Sequence, residues 1–143
     1  MKKIPIGIDD FKKIRENNYY YIDKTNFIEE IGKNVGKTLL FTRPRRFGKT
    51  LNMSMLKYFF DIKEAEENRK LFKGLYIEKT ESFKEQGQYP VVFLSLKDLK
   101  ATNWEIMQEK IVVTLSDFFS EYYYLLKELN ENDADKFKKV LRE

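Results

Sequence analysis

The densest chemistry in the sequence lies in Arg43-Pro44-Arg45-Arg46-Phe47-Gly48-Lys49-Thr50. Its last three residues complete the phosphate-binding pattern G-x-x-x-x-G-K-[ST], and each residue type there has a task. A residue without Cβ lets the backbone close on a phosphate, an ammonium reaches the β and γ oxygens, and a hydroxyl ligates magnesium. The backbone N–H groups of Arg46 through Thr50 would then point at the anion from a helix N-terminus, where the dipole presents its positive end. On this reading Arg43, Pro44, Arg45, Arg46, Phe47, Gly48, Lys49, Thr50 and Leu51 contact a bound ATP or GTP. Lys49 would bridge the β and γ phosphates as the catalytic cation, and Thr50 would hold Mg2+.

The loop departs from the pattern at its mouth. Arg43 stands where the first Gly belongs, and Pro44 both pushes Arg43 into an extended conformation and contributes no N–H of its own. A G-K-[ST] triplet by itself is a weak signal, so the flanking elements decide. Thr38-Leu39-Leu40-Phe41-Thr42 is short, mostly apolar and bounded by Gly36-Lys37 and Arg43-Pro44, which is how a buried parallel strand reads. Beyond the loop, Leu51, Met55, Leu56, Phe59 and Phe60 recur at helical spacing to about Lys63. Strand, loop and helix in that order are the context that the phosphate pattern requires. Met53, Met55, Phe59 and Phe60 read as core packing.

Asp9-Asp10 opens a short helix through Phe11, Ile14 and Arg15 that ends at Asn17-Asn18. Tyr19-Tyr20-Tyr21-Ile22 reads as extended, and Asp23 as the N-cap of a helix carrying Phe27, Ile28 and Ile31 up to Gly32. A charged helical stretch runs on to Leu71-Phe72, Gly74 stops it, and Leu75-Tyr76-Ile77 reads as a short extended piece. Tyr89 to Leu96 reads as a second strand, with Pro90 tolerable near its start. Asp98 follows it as a candidate magnesium ligand, although Ser95 and Lys97 favour the polar end of a strand. Thr102 and Glu105 have capping-box spacing ahead of a long helix with Trp104, Phe118, Phe119 and Tyr122. A last helix begins near Asp133 with Lys136, Lys138, Lys139 and Arg142 on a wet face.

Composition narrows the chemistry further. The chain has 143 residues, Lys+Arg 27 against Asp+Glu 23, a formal charge of +4, and neither Cys nor His. Disulfide frameworks, Cys/His zinc sites, Ser-His-Asp triads and Cys-His dyads are excluded. Carboxylate, hydroxyl, Lys, Arg and backbone chemistry remains, which suits phosphate and magnesium. Lys37, Arg43, Arg45, Arg46 and Lys49 sit together with no acid between them, pointing to a bound anion. Ile4 to Ile8 is too short for a signal peptide and no run is long enough to span a membrane, so the chain reads as cytoplasmic. No linker or repeat divides it. It reads as part of one domain, with residues 1–36 an N-terminal helical and aromatic segment and residues 37–143 carrying the loop, the second strand and the later helices.

Tyr21-Ile22-Asp23-Lys24-Thr25, Phe41-Thr42-Arg43-Pro44-Arg45-Arg46-Phe47-Gly48-Lys49-Thr50-Leu51 and Tyr89-Pro90-Val91-Val92 resemble the N-terminal region of the bacterial predicted AAA-ATPase-like proteins. In that family R-P-R-R-F-G-K-T is the usual loop, so Arg43 no longer counts against the match. The resemblance implies an α/β fold, a P-loop NTPase-like three-layer sandwich with a parallel sheet, incomplete in this chain. It also implies an ATPase module followed by a PD-(D/E)XK nuclease-like domain, with the acidic strand that positions magnesium and water lying beyond Glu143. Tyr21, Ile22 and Asp23 resemble in position the segment that lines the adenine, while core packing competes for the tyrosines and helix capping for Asp23.

ATPase activity would then belong to the full-length protein. The rival classes are a nucleic-acid- or partner-binding module using the Arg-rich loop, and a degenerate ATPase acting as a scaffold.

Overall fold

The structure, a computed structural model, describes residues 1–33, 38–96 and 99–141. Its helices are α1 (Phe11–Glu16), α2 (Asn26–Gly32), α3 (Lys49–Phe60), α4 (Ala65–Arg69), α5 (Trp104–Glu121) and α6 (Glu131–Val140). Four 3-10 segments join them, at Lys70–Phe72, Tyr76–Lys79, Glu81–Glu85 and Tyr123–Glu128. The chain divides into two compact units, Met1–Val92 and Phe93–Glu143.

In the first unit, short polar side chains set the helix starts and then tie the helices together. Asp10 caps α1 by accepting from the Lys13 amide at 2.8 Å, and its other oxygen accepts from the Tyr58 hydroxyl of α3 at 3.0 Å. Ser54 of α3 accepts from the buried Phe11 amide at 2.9 Å, which satisfies one of the orphan donors at the start of α1. Apolar residues spaced along α3 then face inward, so Met55 and Phe59 join Phe11, Ile28, Leu71, Phe72, Leu75 and Ile77 in one core. Phe72 stands 5.1 Å from Phe11 and 5.2 Å from Phe59 between ring centroids, within the range where aromatic pairs attract. Each such side chain contributes about 1.5–3 kcal/mol through burial, which makes this cluster the first unit's main stabilising feature.

The expected α/β three-layer sandwich with a parallel sheet is not what forms. Among the described residues there is no sheet, and the only strand-type pairing is one isolated parallel bridge between Asp61 and Tyr89. Residues 38–42 carry no regular secondary structure, with Leu40 85% exposed where a buried strand was expected. Residues 90–96 likewise carry no regular secondary structure, and Val92 is 67% exposed. A parallel strand is stable only when partners take its amides and layers cover both faces. Among the described residues neither stretch lies in a sheet, so its apolar run alone does not make it a strand. Leu75-Tyr76-Ile77, also expected extended, leads into the 3-10 turn Tyr76–Lys79.

The second unit is helical. Asn103, not Thr102, caps α5 by accepting from the Ile106 amide at 2.9 Å, and Asn130 caps α6 through the Asp133 amide at 3.0 Å. Phe119 packs on Phe137 at 4.9 Å, Phe118 on Tyr122 at 4.8 Å, and the Tyr122 hydroxyl accepts from the Phe93 amide at 3.1 Å. Tyr122 and Phe137 are its buried aromatic residues. Among the described residues no helix is long and apolar enough to cross a membrane.

Candidate functional site

The loop from Arg43 delivers the chain into α3 through two left-handed residues. Arg46 has φ 68°, and Gly48, the N-cap of α3, has φ 71° and ψ 23°. For Arg46 this conformation costs about 1–2 kcal/mol, strain that the loop shape imposes on a residue with a Cβ. Gly48 adopts it without that cost, and an added Cβ there would meet nothing within 4 Å. A left-handed residue followed by a right-handed one turns successive amides to one side, so Gly48 and Lys49 form a concavity of the type able to receive an anion. No side chain caps α3, which leaves the first-turn amides of Lys49, Thr50 and Leu51 to an outside acceptor.

Lys49 bends back over the mouth of the loop. Its ammonium donates to the Arg43 carbonyl and, at 2.9 Å, to the Pro44 carbonyl. An ammonium has three donors, so one remains for a ligand. Arg43, Arg45 and Arg46 are exposed, and among the described residues no carboxylate forms an ion pair with them. The loop mouth is therefore a cationic surface with uncommitted donors.

Among the described residues, two hollows flank this loop. A larger one, about 700 Å³, is walled by α2, residues 39–43 and α3, with Arg43, Phe47 and Lys49 on its lining. The T-shaped contact of Phe27 with Phe41, 4.8 Å between centroids, joins that segment to α2 there. A smaller one, about 240 Å³, is lined by Gly48, Leu51, Pro5, Tyr20, Tyr21 and Ile22, among others. Of the residues expected at the site, Pro44, Arg45, Arg46 and Thr50 line neither hollow and face solvent beside them. Asp98, Lys37 and Arg142 lie outside the described residues.

Tyr21 and Asp23 are largely committed to the fold. The Tyr21 ring meets Phe11 edge-on at 5.4 Å, its hydroxyl donates to the Met55 sulfur, and burial pushes its pKa up to about 12. Only part of its surface reaches the smaller hollow, where the neighbouring Tyr20 is far more exposed. Asp23 accepts from the Thr25 amide at 2.9 Å, the Thr25 hydroxyl at 2.7 Å and the Tyr76 amide at 2.7 Å. Burial works to raise the Asp23 carboxyl, but these donors outweigh it and hold it below the usual carboxylate range.

Lys24 and Asn52, which sequence reasoning passed over, line both hollows. Asn52 was findable, because it lies one helical turn beyond Lys49. Lys24 stands within the Tyr21–Thr25 motif but was given no role, since its approach to α3 depends on the fold.

The family model of the AAA-ATPase-like proteins, described as predicted AAA-ATPase, matches residues 5–143. The chain belongs to this family. A curated relative, an uncharacterized protein in the vnfD 5′ region of Azotobacter chroococcum mcd 1, is 44% identical over 77 residues. That alignment takes in 53% of this chain and 14% of the relative, so the chain corresponds to a small part of that protein. No solved structure matches the chain.

Proposed function

We propose that this AAA-ATPase-like chain binds a nucleoside triphosphate with Mg2+ through residues 43–51, ATP being the preferred candidate. The observation that carries the reading is the Gly48–Lys49 concavity at the uncapped start of α3, with the Lys49 ammonium beside it. The family's description as predicted ATPases supports the same chemistry. In this reading the amides of Gly48 to Leu51 receive phosphate oxygens, Lys49 neutralises the outer phosphates, and the exposed Thr50 hydroxyl joins water and phosphate oxygens around Mg2+. Charge stabilisation and positioning are what phosphoryl transfer asks of a protein, so the same groups would serve hydrolysis in the full-length protein.

Titration calorimetry with ATP and Mg2+ tests this, comparing wild type with Lys49→Ala. The expected result is saturable one-site binding by wild type and at least about a tenfold loss in the variant, the equivalent of about 1.4 kcal/mol. Equal affinities, or no binding by wild type, would remove the reading. A second reading, phosphate contacts to nucleic acid, is favoured by the three exposed arginines. It predicts binding to an oligonucleotide that falls steeply with salt and is unaffected by ATP.

A further inference from the structure

The two hollows beside the loop differ in chemistry. The 700 Å³ hollow carries the cations Arg43 and Lys49, whereas the 240 Å³ hollow is lined by Pro5, Tyr20, Ile22 and Leu51 with Lys24 as its sole charged residue. The smaller volume is below the roughly 300–1,000 Å³ of pockets that enclose a whole small molecule, so it suits one planar part of a larger ligand. An aromatic ring and apolar edges favour a heteroaromatic ring. The pair therefore fits an anion with an aromatic group at one end and phosphates at the other.

Lys24 and Asn52 line both spaces and so mark where one passes into the other. Each can reach that place for a local reason. Asp23 and Thr25, on either side of Lys24, are tied to each other and to the backbone at Tyr76 and Ile77, which fixes the Lys24 backbone while its side chain stays exposed. Asn52 is held by the first helical hydrogen bond of α3, its amide donating to the Gly48 carbonyl at 2.9 Å. The Glu30 carboxylate also lines the larger hollow, which disfavours a phosphate beside it.

We infer that Lys24 and Asn52 are ligand-binding residues at the junction of sugar and polyphosphate: the Lys24 ammonium takes the phosphate nearest the sugar, and the Asn52 carboxamide takes a sugar hydroxyl. This rests on the nucleotide reading of residues 43–51. Lys49 and Lys24 then divide the polyphosphate between them, one at its outer end and one at its inner end. Lysine acts as a point charge here, so charge matters more than shape at position 24.

Calorimetry with ATP, ADP and inorganic tripolyphosphate on wild type, Lys24→Gln, Lys24→Arg, Asn52→Ala and Lys49→Ala separates these roles. Lys24→Gln is expected to weaken ATP and ADP by a similar factor, about tenfold, and Lys24→Arg to recover most of the loss. Asn52→Ala should weaken ATP and ADP several-fold and leave tripolyphosphate unchanged, because tripolyphosphate has no sugar. Lys49→Ala should weaken ATP more than ADP. If Lys24→Gln and Asn52→Ala bind ATP as tightly as wild type while Lys49→Ala does not, the junction is wrong and the loop reading stands. If wild type binds none of the three probes, both fall together.

Discussion

Asp23 shows how a residue in a functional-looking motif can serve the fold. Its two oxygens take three donors, and one of these links residue 23 to the Tyr76 amide across 53 positions of sequence. Asp23→Ala is expected to lower stability by about 1–3 kcal/mol, the cost of leaving such donors without their acceptor. The pH dependence has a definite sign. The folded pKa lies below the ordinary value of about 3.9, so the unfolded chain binds the proton more readily and the stabilisation is complete above that value. It is lost as pH falls through the folded pKa. Urea unfolding at pH 7 and pH 3 checks this, and the drop between the two should be smaller for Asp23→Ala than for wild type. The sequence reads Asp23 as the N-cap of α2, but that position is Thr25, which has no side-chain cap bond; Asp23 holds the Thr25 and Tyr76 amides instead, and the second depends on a contact that no local pattern records.

At the scale of elements, the C-terminal end of α3 is clipped to a distant turn. The Gly87 amide donates to the Phe59 carbonyl at 2.8 Å, the Ile62 amide to the Tyr89 carbonyl at 2.7 Å, and the Tyr89 amide to the Phe60 carbonyl at 3.0 Å. Gly87 is required twice over. Its φ of 70° disfavours any L side chain, and a Cβ placed on it would stand 2.5 Å from the Cβ of Ala65 in α4. Gly87→Ala should cost about 2 kcal/mol or more, read as a shift in urea midpoint, whereas Gly74→Ala, with φ 78° and open space around it, should cost less. Elements fixed by near neighbours were legible beforehand. The starts of α1 after Asp10 and of α3 at Lys49 follow from polar side chains and apolar spacing, whereas α6 begins at Glu131, capped by Asn130, two residues ahead of the expected start near Asp133. Asn103 displaced Thr102 as the cap by a single residue, within reach of the same signal. That the two expected strands do not form was not legible, because Thr38 to Thr42 and Tyr89 to Leu96 carry the composition of buried strands, while pairing depends on partners distant in sequence. The candidate site was legible as a loop sequence and a helix start, but its division into two hollows meeting at Lys24 and Asn52 needed the fold.

At the scale of the whole molecule, the two units differ in how their longest helices are held. In the first, α3 buries Ser54, Met55 and Phe59, so its central amides exchange only when the core around Phe72 opens. In the second, α5 is half again as long but has no buried residue among those described, and Trp104, Val112 and Val113 stand exposed along it. Its amides can therefore open turn by turn without first disrupting a core. Hydrogen exchange followed by mass spectrometry should find peptides from residues 52–60 protected at least about tenfold more than peptides from residues 106–117, a gap of about 1.4 kcal/mol in opening free energy. Phe59→Ala, which removes a fully buried ring at a cost of about 3–5 kcal/mol, should bring the α3 peptides toward the faster rate. Equal protection of α3 and α5 in wild type would contradict the comparison and mean that another surface covers the α5 apolar residues in solution. Adding ATP with Mg2+ extends the same measurement. A ligand seated on the first turn of α3 slows its exchange by mass action, and the slowing should vanish in Lys49→Ala.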